Sequence, residues 1–343
     1  MNDPRICAKC VLPENGVEIT LDAAGVCNLC REHEKAREAG PTAADAPLLE
    51  TDFIKTINQY RGKGEFDCLV MCSGGKDSTA ALYYMKKRYK LNALAFTFDH
   101  GFETEEAIAN VRRAVAVLDI PFLLYRDTSM HGLFSELLQS GSSAVVCHVC
   151  AIWYMGLTFR MAQRFQVPLI IAGWTKGQMT TQPVLTKCAC GAEGPEYKRM
   201  GQATRDFLAT LRADPRYKDF PASMEEAVAK AQKSYKCRVL SPHWFLPQET
   251  ETYVELITRE LGWAAPPLSY PGKSTNCLLN FISVHNSMKH YGFTHYHVEM
   301  SKLIRENLLT RDEALALLRI DFGPELLNRI AEPLGVKFPA EPR

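Results

Sequence analysis

The chain has 343 residues, which is enough for one large domain or for two to three smaller ones. Its 40 basic and 39 acidic side chains give a net charge of +1, and this balance argues against a large nucleic-acid partner because nucleic-acid-binding proteins carry a basic excess or a basic patch. No stretch approaches the roughly 18 apolar residues of a membrane span, and the first residues lack the apolar core of a signal peptide, so we expect a cytoplasmic protein without a membrane partner.

Two cysteine pairs lie near the start of the chain. Cys7 and Cys10 are two residues apart, as are Cys27 and Cys30, and sixteen residues separate the pairs. This is the spacing of a four-thiolate zinc site, in which each pair lies on a tight turn. Disulfides are rare in a reducing compartment, which favours metal binding. We therefore predict a small zinc module over residues 1–35, folded by its metal and closed to catalysis.

A linker and an alternating segment follow this module. Residues 36–51 are rich in Ala, Pro and Gly, and residues 52–175 alternate between short apolar runs and stretches with helical spacing. The apolar runs lie at 66–72, 93–98, 121–125 and 167–172, and the helical stretches at about 75–88, 103–118 and 148–165. The alternation predicts an α/β fold with a doubly wound, mostly parallel sheet that binds ligands at the carboxyl ends of its strands. Cys68 and Cys72 fall in the first run and are predicted to be core residues.

The segment Ser73–Ser78 links the first apolar run to the first helical stretch, and its sequence is Ser-Gly-Gly-Lys-Asp-Ser. Gly74 and Gly75 let the backbone approach an anion, and a helix start directs free N–H groups at it. Lys76 adds a cation, and the two serines add hydroxyl donors. The segment therefore predicts a phosphate-binding loop, although Asp77 after the lysine departs from a Walker A sequence.

Other candidate site residues follow the second and fourth strands. Asp99 is predicted either to face the ribose and adenine of a nucleotide or to cap the following helix. His100 is either a site residue or a loop residue without a role. Gly173 permits the backbone to approach an α phosphate. Lys176 is either a pyrophosphate contact or a solvated loop lysine.

A second cysteine group is spread over the chain. Cys147 and Cys150 begin the third helical stretch, and Cys277 precedes a helix near the C-terminus. Thiols at a helix start have lowered pKa values and favour the thiolate. Three functional interpretations fit: a 4Fe-4S cluster with one open iron, a zinc site completed by His148, and a redox thiol pair. The alternative is a set of buried structural thiols.

Residues 176–240 interrupt the alternation and predict an insertion with one or two short helices. Within it, Cys188 and Cys190 with Cys237 are candidates for a second structural zinc site. Residues 241–343 are mainly helical and are expected to complete the substrate site. Four polar residues there are candidate substrate contacts: Lys273, Thr275, Asn276 and Asn280. A helix cap at Ser274 or Thr275 explains part of this pattern equally well.

The Ser73–Ser78 sequence resembles the PP-loop of the ATP pyrophosphatases, also called adenine nucleotide alpha hydrolases. The resemblance implies a HUP-type fold, binding of ATP with Mg²⁺, and cleavage of ATP between its α and β phosphates. Such enzymes adenylylate a substrate oxygen and then replace it with nitrogen or sulfur. It also implies a set of nucleotide contacts, of which Lys76 and Asp77 are catalytic: Ser73, Gly74, Gly75, Lys76, Asp77, Ser78, Asp99 and Gly173.

Within this superfamily the chain is similar to the N-acetyl sugar amidotransferases of surface-polysaccharide biosynthesis. The similar segments are Cys7–Pro13, Ile19–Cys30, Phe96–Phe102, Cys147–Cys150 and Leu309–Ala314. The similarity implies that ammonia from a separate glutaminase displaces AMP from an activated acetamido group. We predict this amidotransferase function first, although Cys277 and the sequence Gly173-Trp174-Thr175 depart from the family pattern.

Cys147, Cys150 and the late Cys277 instead resemble the cluster-bearing tRNA thiolation enzymes. That resemblance implies sulfur transfer to a tRNA or a small molecule, a separate sulfur donor protein, and catalysis that depends on all three cysteines. The near-neutral charge favours a small acceptor over tRNA. A non-catalytic nucleotide sensor is the third hypothesis, and a homodimer is compatible with each.

Overall fold

A parallel sheet of five strands forms the centre of the computed structural model, which describes residues 5–40, 48–176, 178, 197–246, 249–272 and 276–339. The strands are β1 (Cys68–Met71), β2 (Ala93–Asp99), β3 (Phe122–Arg126), β4 (Leu169–Ile171) and β5 (Arg238–Leu240). Their order in the sheet is β3–β2–β1–β4–β5, and every neighbouring pair is parallel. The register places Val70 of β1 between Ala95 of β2 and Ile171 of β4.

Helices connect the strands and form the C-terminal region. Up to β4 they are α1 (Asn28–Glu38), α2 (Glu50–Ile57), α3 (Lys76–Tyr83), α4 (Glu105–Leu118), α5 (Met130–Gln139) and α6 (Val146–Arg164). After β4 they are α7 (Lys198–Leu211), α8 (Met224–Ser234), α9 (Thr250–Leu261), α10 (Leu279–Tyr291), α11 (His295–Arg305), α12 (Arg311–Leu317) and α13 (Pro324–Ala331). A π-helical turn at Tyr84–Arg88 extends α3. Within the described ranges, no helix has the length and apolar character to cross a membrane.

Alternate residues of each strand face two separate hydrophobic cores. Leu69 and Phe96 pack in one core with α5, α6, α8 and α10, whereas Val70 and Ala95 pack in the other with α2, α3, α4 and α9. Cys68 and Cys72 belong to the second core, as predicted. Because helices cover both faces, the sheet is doubly wound, and the predicted fold class is confirmed.

The strand order places the ends of β1 and β4 where the topology of the sheet reverses. From β1 the chain moves outward to β2 and β3, and it then returns to β4 and β5 on the other side. Open α/β sheets bind ligands at such a point, beyond the carboxyl ends of the strands. The loops that follow Met71 and Ile171 therefore frame the candidate site.

The fifth strand was not predicted from the sequence. β5 is three residues long and lies in the segment predicted as an insertion, and so short a strand carries too little periodicity to be recognised. Cys237, just before it, is buried in the core, where burial raises the pKa of its thiol to about 12. Its predicted zinc-binding partners, Cys188 and Cys190, lie outside the described residues.

The N-terminal cysteine module packs against the C-terminal helices. Its four cysteines share a hydrophobic cluster with Phe293 and Val298. At the start of α12, Arg311 donates through Nε to the carbonyl oxygen of Cys7 at 3.2 Å and to that of Cys10 at 3.1 Å. The two ends of the described chain are therefore joined at this module.

Candidate active site

The turn between β1 and α3 has an open helix start. Gly75 is the N-cap of α3 and supplies no side-chain hydrogen bond to it. The first N–H groups of a helix lack acceptors within that helix, so they and the positive end of the helix dipole are available to an anion. Gly74 has a φ of +78°, and a Cβ there would lie 2.0 Å from the carbonyl oxygen of Ala107. The turn therefore requires glycine at this position.

Side chains from three distant segments hold the carbonyl groups of this turn. Trp263 Nε1 donates to Gly74 O at 3.0 Å, and Asn110 Nδ2 donates to the same oxygen at 3.2 Å. Asn276 donates through Nδ2 to Ser73 O. Because buried donors hold these oxygens, the peptide planes of the turn are fixed before any ligand binds.

The two serines of the loop close it onto the helix. Ser78 Oγ lies 3.2 Å from both the backbone nitrogen and Oγ of Ser73, and it donates to Gly75 O at 3.1 Å. Gly173, which follows β4, packs against the same place, since a Cβ there would lie 2.6 Å from the backbone nitrogen of Ser78. Gly173 thus allows β4 to end close to α3, and its contact with an α phosphate stays a prediction.

Lys76 and Asp77 form an ion pair at the first turn of α3. Lys76 Nζ lies 2.9 Å from Oδ2 and 3.2 Å from Oδ1 of Asp77. Tyr253 of α9 donates its hydroxyl to Oδ1 of Asp77, and His243 Nε2 lies 2.9 Å from the Asp77 carbonyl oxygen. Asp77 is therefore anchored independently of Lys76, so the lysine can turn toward a phosphate without releasing the carboxylate.

A second acidic side chain approaches this pair from α11. Burial raises the pKa of Glu299 to about 7, the positive charge of Lys76 opposes this shift, and the negative charge of Asp77 adds to it. Lys302 lies one turn further along α11 and donates through Nζ to the carbonyl oxygen of Lys176 at 2.6 Å. The loop after β4 is thus tied to α11, and Lys176 contributes its backbone to this contact.

Asp99 ends β2 and shapes the turn that follows. Its Oδ1 accepts the Gly101 N–H at 2.7 Å, and its Oδ2 lies 3.6 Å from Arg126 Nε. The cap of α4 is Thr104, whose side chain accepts from the backbone nitrogen of Ala107. The predicted helix-capping role of Asp99 is therefore wrong, because the chain turns once more before the helix begins. Its contact with a nucleotide stays a prediction.

His100 is buried and points at the second cysteine group. Its Nδ1 accepts the Phe102 N–H at 3.3 Å, so the proton of the neutral ring lies on Nε2. Nε2 lies 3.7 Å from Cys277 Sγ and 3.6 Å from Glu103 Oε1. Burial lowers the pKa of His100 to about 4, so the ring is neutral near pH 7 and acts as a donor toward Cys277.

Backbone pairing holds Cys277 beside the Ser73–Ser78 loop. Glu103 and Cys277 form an antiparallel bridge, and the Leu278 N–H donates to Phe102 O at 2.8 Å. The preceding residue is Asn276, the donor to Ser73 O. Cys277 is therefore one residue from a direct contact with the loop. Two other predicted contacts of this segment, Lys273 and Thr275, lie outside the described residues.

The three predicted cysteines of the second group all lie within electrostatic range of one carboxylate, Glu103. Cys147 and Cys150 lie in the first turns of α6. Each of these thiols interacts electrostatically with Glu103, and so does Cys277, which also interacts with both of the other thiols. Asn280, also predicted as a site residue, accepts from Cys147 Sγ at 3.8 Å through Oδ1.

The spacing of these thiols does not suit a single zinc ion. Thiolates bound to one tetrahedral zinc lie roughly 3.8 Å apart. The sulfur atoms of Cys147, Cys150 and Cys277, by contrast, do not all lie within 4.8 Å of one another. His148, the predicted fourth ligand, instead lies against Tyr197 and His295, with ring centroids 6.3 Å and 6.4 Å away. These thiols are therefore not arranged as the ligands of one zinc ion.

Burial sets the pKa values of these thiols. It raises the pKa of Cys147 to about 11 and raises those of Cys150 and Cys277 well above the ordinary thiol value, with the charge of Glu103 adding to each shift. The pKa lowering predicted from the helix start is therefore wrong. Desolvation of a buried thiolate costs more than the helix N-terminus stabilises it.

The N-terminal cysteines do fit one zinc ion. Cys7 Sγ lies 4.0 Å from Cys30 Sγ, and Cys10 Sγ lies 3.7 Å from Cys27 Sγ, close to the roughly 3.8 Å of a tetrahedral thiolate site. The Cys10 N–H and the Cys27 N–H donate to Cys7 Sγ at 3.4 Å and 3.2 Å, as expected around a thiolate ligand. All four cysteines are buried, which matches a closed structural site.

Sequence reasoning missed several residues of the site. Glu103 follows a predicted strand end, so its position at that edge of the sheet could have been predicted. No local pattern, however, indicated its closeness to cysteines that are more than forty residues away in sequence. The loop is held by Asn110 of α4, by Tyr253 of α9 and by Trp263, which follows α9. Glu299 of α11 interacts electrostatically with its Lys76 and Asp77. Their roles depend on tertiary packing that leaves no motif in the sequence.

Comparisons with known proteins give relatives at low identity. No family model matches the chain. It is 23% identical over 282 residues to the uncharacterized protein MJ1599 of Methanocaldococcus jannaschii, which covers 82% of each chain.

Solved structures that resemble the chain include three enzymes. The tRNA thiolase NcsA of Methanococcus maripaludis, solved with its 4Fe-4S cluster, has a TM-score of 0.37 at 14% identity, covering 89% of this chain and 90% of that one. The NH3-dependent NAD synthetase of Campylobacter jejuni has a TM-score of 0.38 at 14% identity, with 83% and 89% covered. The NMN synthetase of Francisella tularensis has a TM-score of 0.40 at 10% identity, with 85% and 98% covered.

Proposed function

We propose that this protein cleaves ATP to AMP and pyrophosphate at the Ser73–Ser78 loop and replaces the activated oxygen of an acceptor with sulfur. The observation that carries the proposal is the position of Asn276 and Cys277. Asn276 bonds to the loop, and the adjacent Cys277 interacts electrostatically with Cys147 and Cys150. The proposed nucleotide site and a group of half-buried thiols are therefore neighbours.

The loop supplies the chemistry of adenylate formation. The N–H groups at the start of α3 and the ammonium of Lys76 stabilise negative charge on the departing pyrophosphate. Asp77, held in place by Tyr253, is the carboxylate that suits Mg²⁺ beside the phosphates. Bound Mg²⁺ neutralises phosphate charge. Together these groups favour attack of an acceptor oxygen on the α phosphate.

The second cysteine group suits a 4Fe-4S cluster. Three half-buried thiols lie within electrostatic range of one carboxylate, and they do not all lie within 4.8 Å of one another as the ligands of one zinc would. Such clusters are held by cysteine thiolates, and coordination to iron also removes the cost of a free buried thiolate. Cys147, Cys150 and Cys277 would hold the cluster, which would supply a metal position able to bind sulfide.

The acceptor and the donor are part of the proposal. The net charge of +1 favours a small acceptor over tRNA. Sulfur would come from a separate donor protein or from inorganic sulfide. The acceptor must carry an oxygen on an unsaturated carbon, because adenylylation turns that oxygen into a leaving group.

Metal and turnover measurements on anaerobically purified protein test the proposal. We expect about four irons and four sulfides per chain beside one zinc. We expect Cys277→Ala to lose iron and sulfur transfer while keeping ATP binding. Cys237→Ala, which removes a buried thiol of the core, is the matched control and should keep its iron. The proposal would be contradicted by colourless protein that contains zinc alone. It would also be contradicted if the Cys277→Ala variant kept its sulfur-transfer activity.

Nitrogen transfer, as in the sugar amidotransferases, is the second candidate. The raised pKa values of Cys147, Cys150 and Cys277 favour it, because protonated thiols are poor nucleophiles and ammonia needs no protein thiol. In that case ammonium would replace sulfide as the productive donor, and Cys277→Ala would keep most of its activity.

A further inference from the structure

Glu103 is a largely buried carboxylate beside Cys277 of the second cysteine group. Its side chain is 10% exposed and lies between the end of β2 and the start of α4. It interacts electrostatically with Cys147, Cys150 and Cys277. Among the described residues, its carboxylate also lies within 4.8 Å of both Cys277 Sγ and a ring nitrogen of His100.

The position of the Glu103 carboxylate beside Cys277 suits a metal ligand. Among the described residues, its carboxylate oxygen, Cys277 Sγ and a ring nitrogen of His100 all lie within 4.8 Å of one another. Its hydrogen-bond donor, Asn276, is neutral. Carboxylates in such places are commonly paired with a cation or bound to a metal. A metal held by Cys277 would pair this carboxylate.

One oxygen of Glu103 is oriented by the neighbouring amide. Asn276 Nδ2 donates to Oε2 at 3.2 Å, and the same nitrogen donates to Ser73 O. Metal-binding carboxylates are commonly held in this way by a hydrogen bond to one oxygen, which directs the other toward the metal. Oε1 is the oxygen that lies toward His100, 3.6 Å from its Nε2.

His100 is not the ligand at this place. Its Nδ1 accepts the Phe102 N–H, so Nε2 carries the proton and presents a donor to Cys277 and Glu103. A histidine that bound metal through Nε2 would have to carry its proton on Nδ1, where the Phe102 N–H already points. The carboxylate is therefore the better ligand of the two.

We propose that Glu103 is the protein ligand at the metal position that Cys147, Cys150 and Cys277 leave open. The inference rests on the proposed function, since it requires that the three cysteines hold iron. Glu103 would supply an oxygen ligand at the open position. Such a ligand binds iron more weakly than thiolate and can be displaced by a sulfur ligand. Through Asn276, this ligand is also linked to the nucleotide loop.

The experiment compares four anaerobically reconstituted proteins: wild type, Glu103→Gln, Glu103→Ala and the control Glu106→Gln. Gln keeps the shape and the acceptor for Asn276 but removes the anionic ligand. Glu106 lies on α4 in a more exposed pair with Arg113. Iron per chain and the electron paramagnetic resonance signal of a three-iron cluster are followed during mild oxidation with ferricyanide.

We expect both Glu103 variants to lose one iron about tenfold faster than wild type, with a matching rise of the three-iron signal. Glu106→Gln should follow wild type. Equal rates of iron loss in Glu103→Gln and wild type would overturn the inference while leaving the cluster in place. Wild-type protein with one or two zinc ions and no iron would overturn the proposed function as well, so the two failures are distinguishable.

Discussion

Asn276 donates a hydrogen bond through Nδ2 to the carbonyl oxygen of Ser73. This contact spans 203 positions of the chain and joins the first residue of the Ser73–Ser78 loop to the segment that carries Cys277. The same nitrogen lies 3.2 Å from Oε2 of Glu103. One amide group therefore links the loop proposed to bind ATP with the second cysteine group.

Replacing Asn276 should weaken both halves of the site. We expect Asn276→Ala to reduce ATP affinity and iron retention together, because the buried acceptors on Ser73 and Glu103 would each lose a donor, at about 1 to 3 kcal/mol per group. Isothermal titration with a non-hydrolysable ATP analogue and iron analysis measure the two effects. Asn328→Ala is the matched control, since Asn328 also bonds to two backbone groups, both of Phe338. Loss of only one property would contradict the link.

Lys76 should govern nucleotide binding. We expect Lys76→Ala to weaken ATP binding about tenfold to a hundredfold, because charge-assisted hydrogen bonds contribute about 1.5 to 3 kcal/mol. Lys86→Ala is the control, since Lys86 donates to the Asp119 carbonyl oxygen on the surface. Circular dichroism would show that both variants fold. Unchanged affinity in Lys76→Ala would refute the assignment of the loop.

Gly74 and Gly141 provide a test of the geometry of the loop. Both have positive φ, +78° and +67°, but a Cβ on Gly74 would meet Ala107 O at 2.0 Å, whereas a Cβ on Gly141 would meet nothing within 4 Å. We expect Gly141→Ala to lower the free energy of unfolding by about 1 kcal/mol, and Gly74→Ala by about 2 to 4 kcal/mol with loss of ATP binding. Urea denaturation measures both, and equal effects would argue against the described turn.

Zinc should stabilise the contact between the two ends of the chain. Removing it with a chelator should lower the thermal midpoint, because the metal supplies the folding energy of so small a module. Arg311→Ala should weaken the same contact by about 2 kcal/mol through loss of its hydrogen bonds to Cys7 O and Cys10 O. Arg319→Ala, an exposed change in the same region, should have little effect. If the chelator left the midpoint unchanged, a structural role for the metal would be contradicted.

The fold, the turn at Ser73–Ser78 and the closeness of Cys7, Cys10, Cys27 and Cys30 could be predicted because their signals are local. The apolar runs that became β1 to β4 are continuous in sequence, and the glycines of the loop and the spacing from Cys7 to Cys30 lie within short segments. The grouping of Cys277 with Cys147 and Cys150 came from the resemblance to the cluster-bearing thiolation enzymes, and all three lie within electrostatic range of Glu103.

The environment of the site could not be predicted in the same way. The pKa lowering expected for Cys147 failed because burial depends on α10 and α11, which are distant in sequence. Glu103 reads locally as an ordinary residue before a helix. Its importance comes from the bridge to Cys277, a pairing of two isolated positions that no periodic pattern marks.

Transfer of a labelled atom tests the central claim most directly. Reduced, reconstituted protein would be given MgATP, ³⁴S-sulfide and ¹⁵N-ammonium together with either a small-molecule extract of cells or a purified tRNA pool, and products would be analysed by mass spectrometry. The account predicts a small molecule that exchanges one oxygen for ³⁴S, with one AMP formed per product, and no such product from Cys277→Ala. A product that carries ¹⁵N and still forms with Cys277→Ala would contradict it.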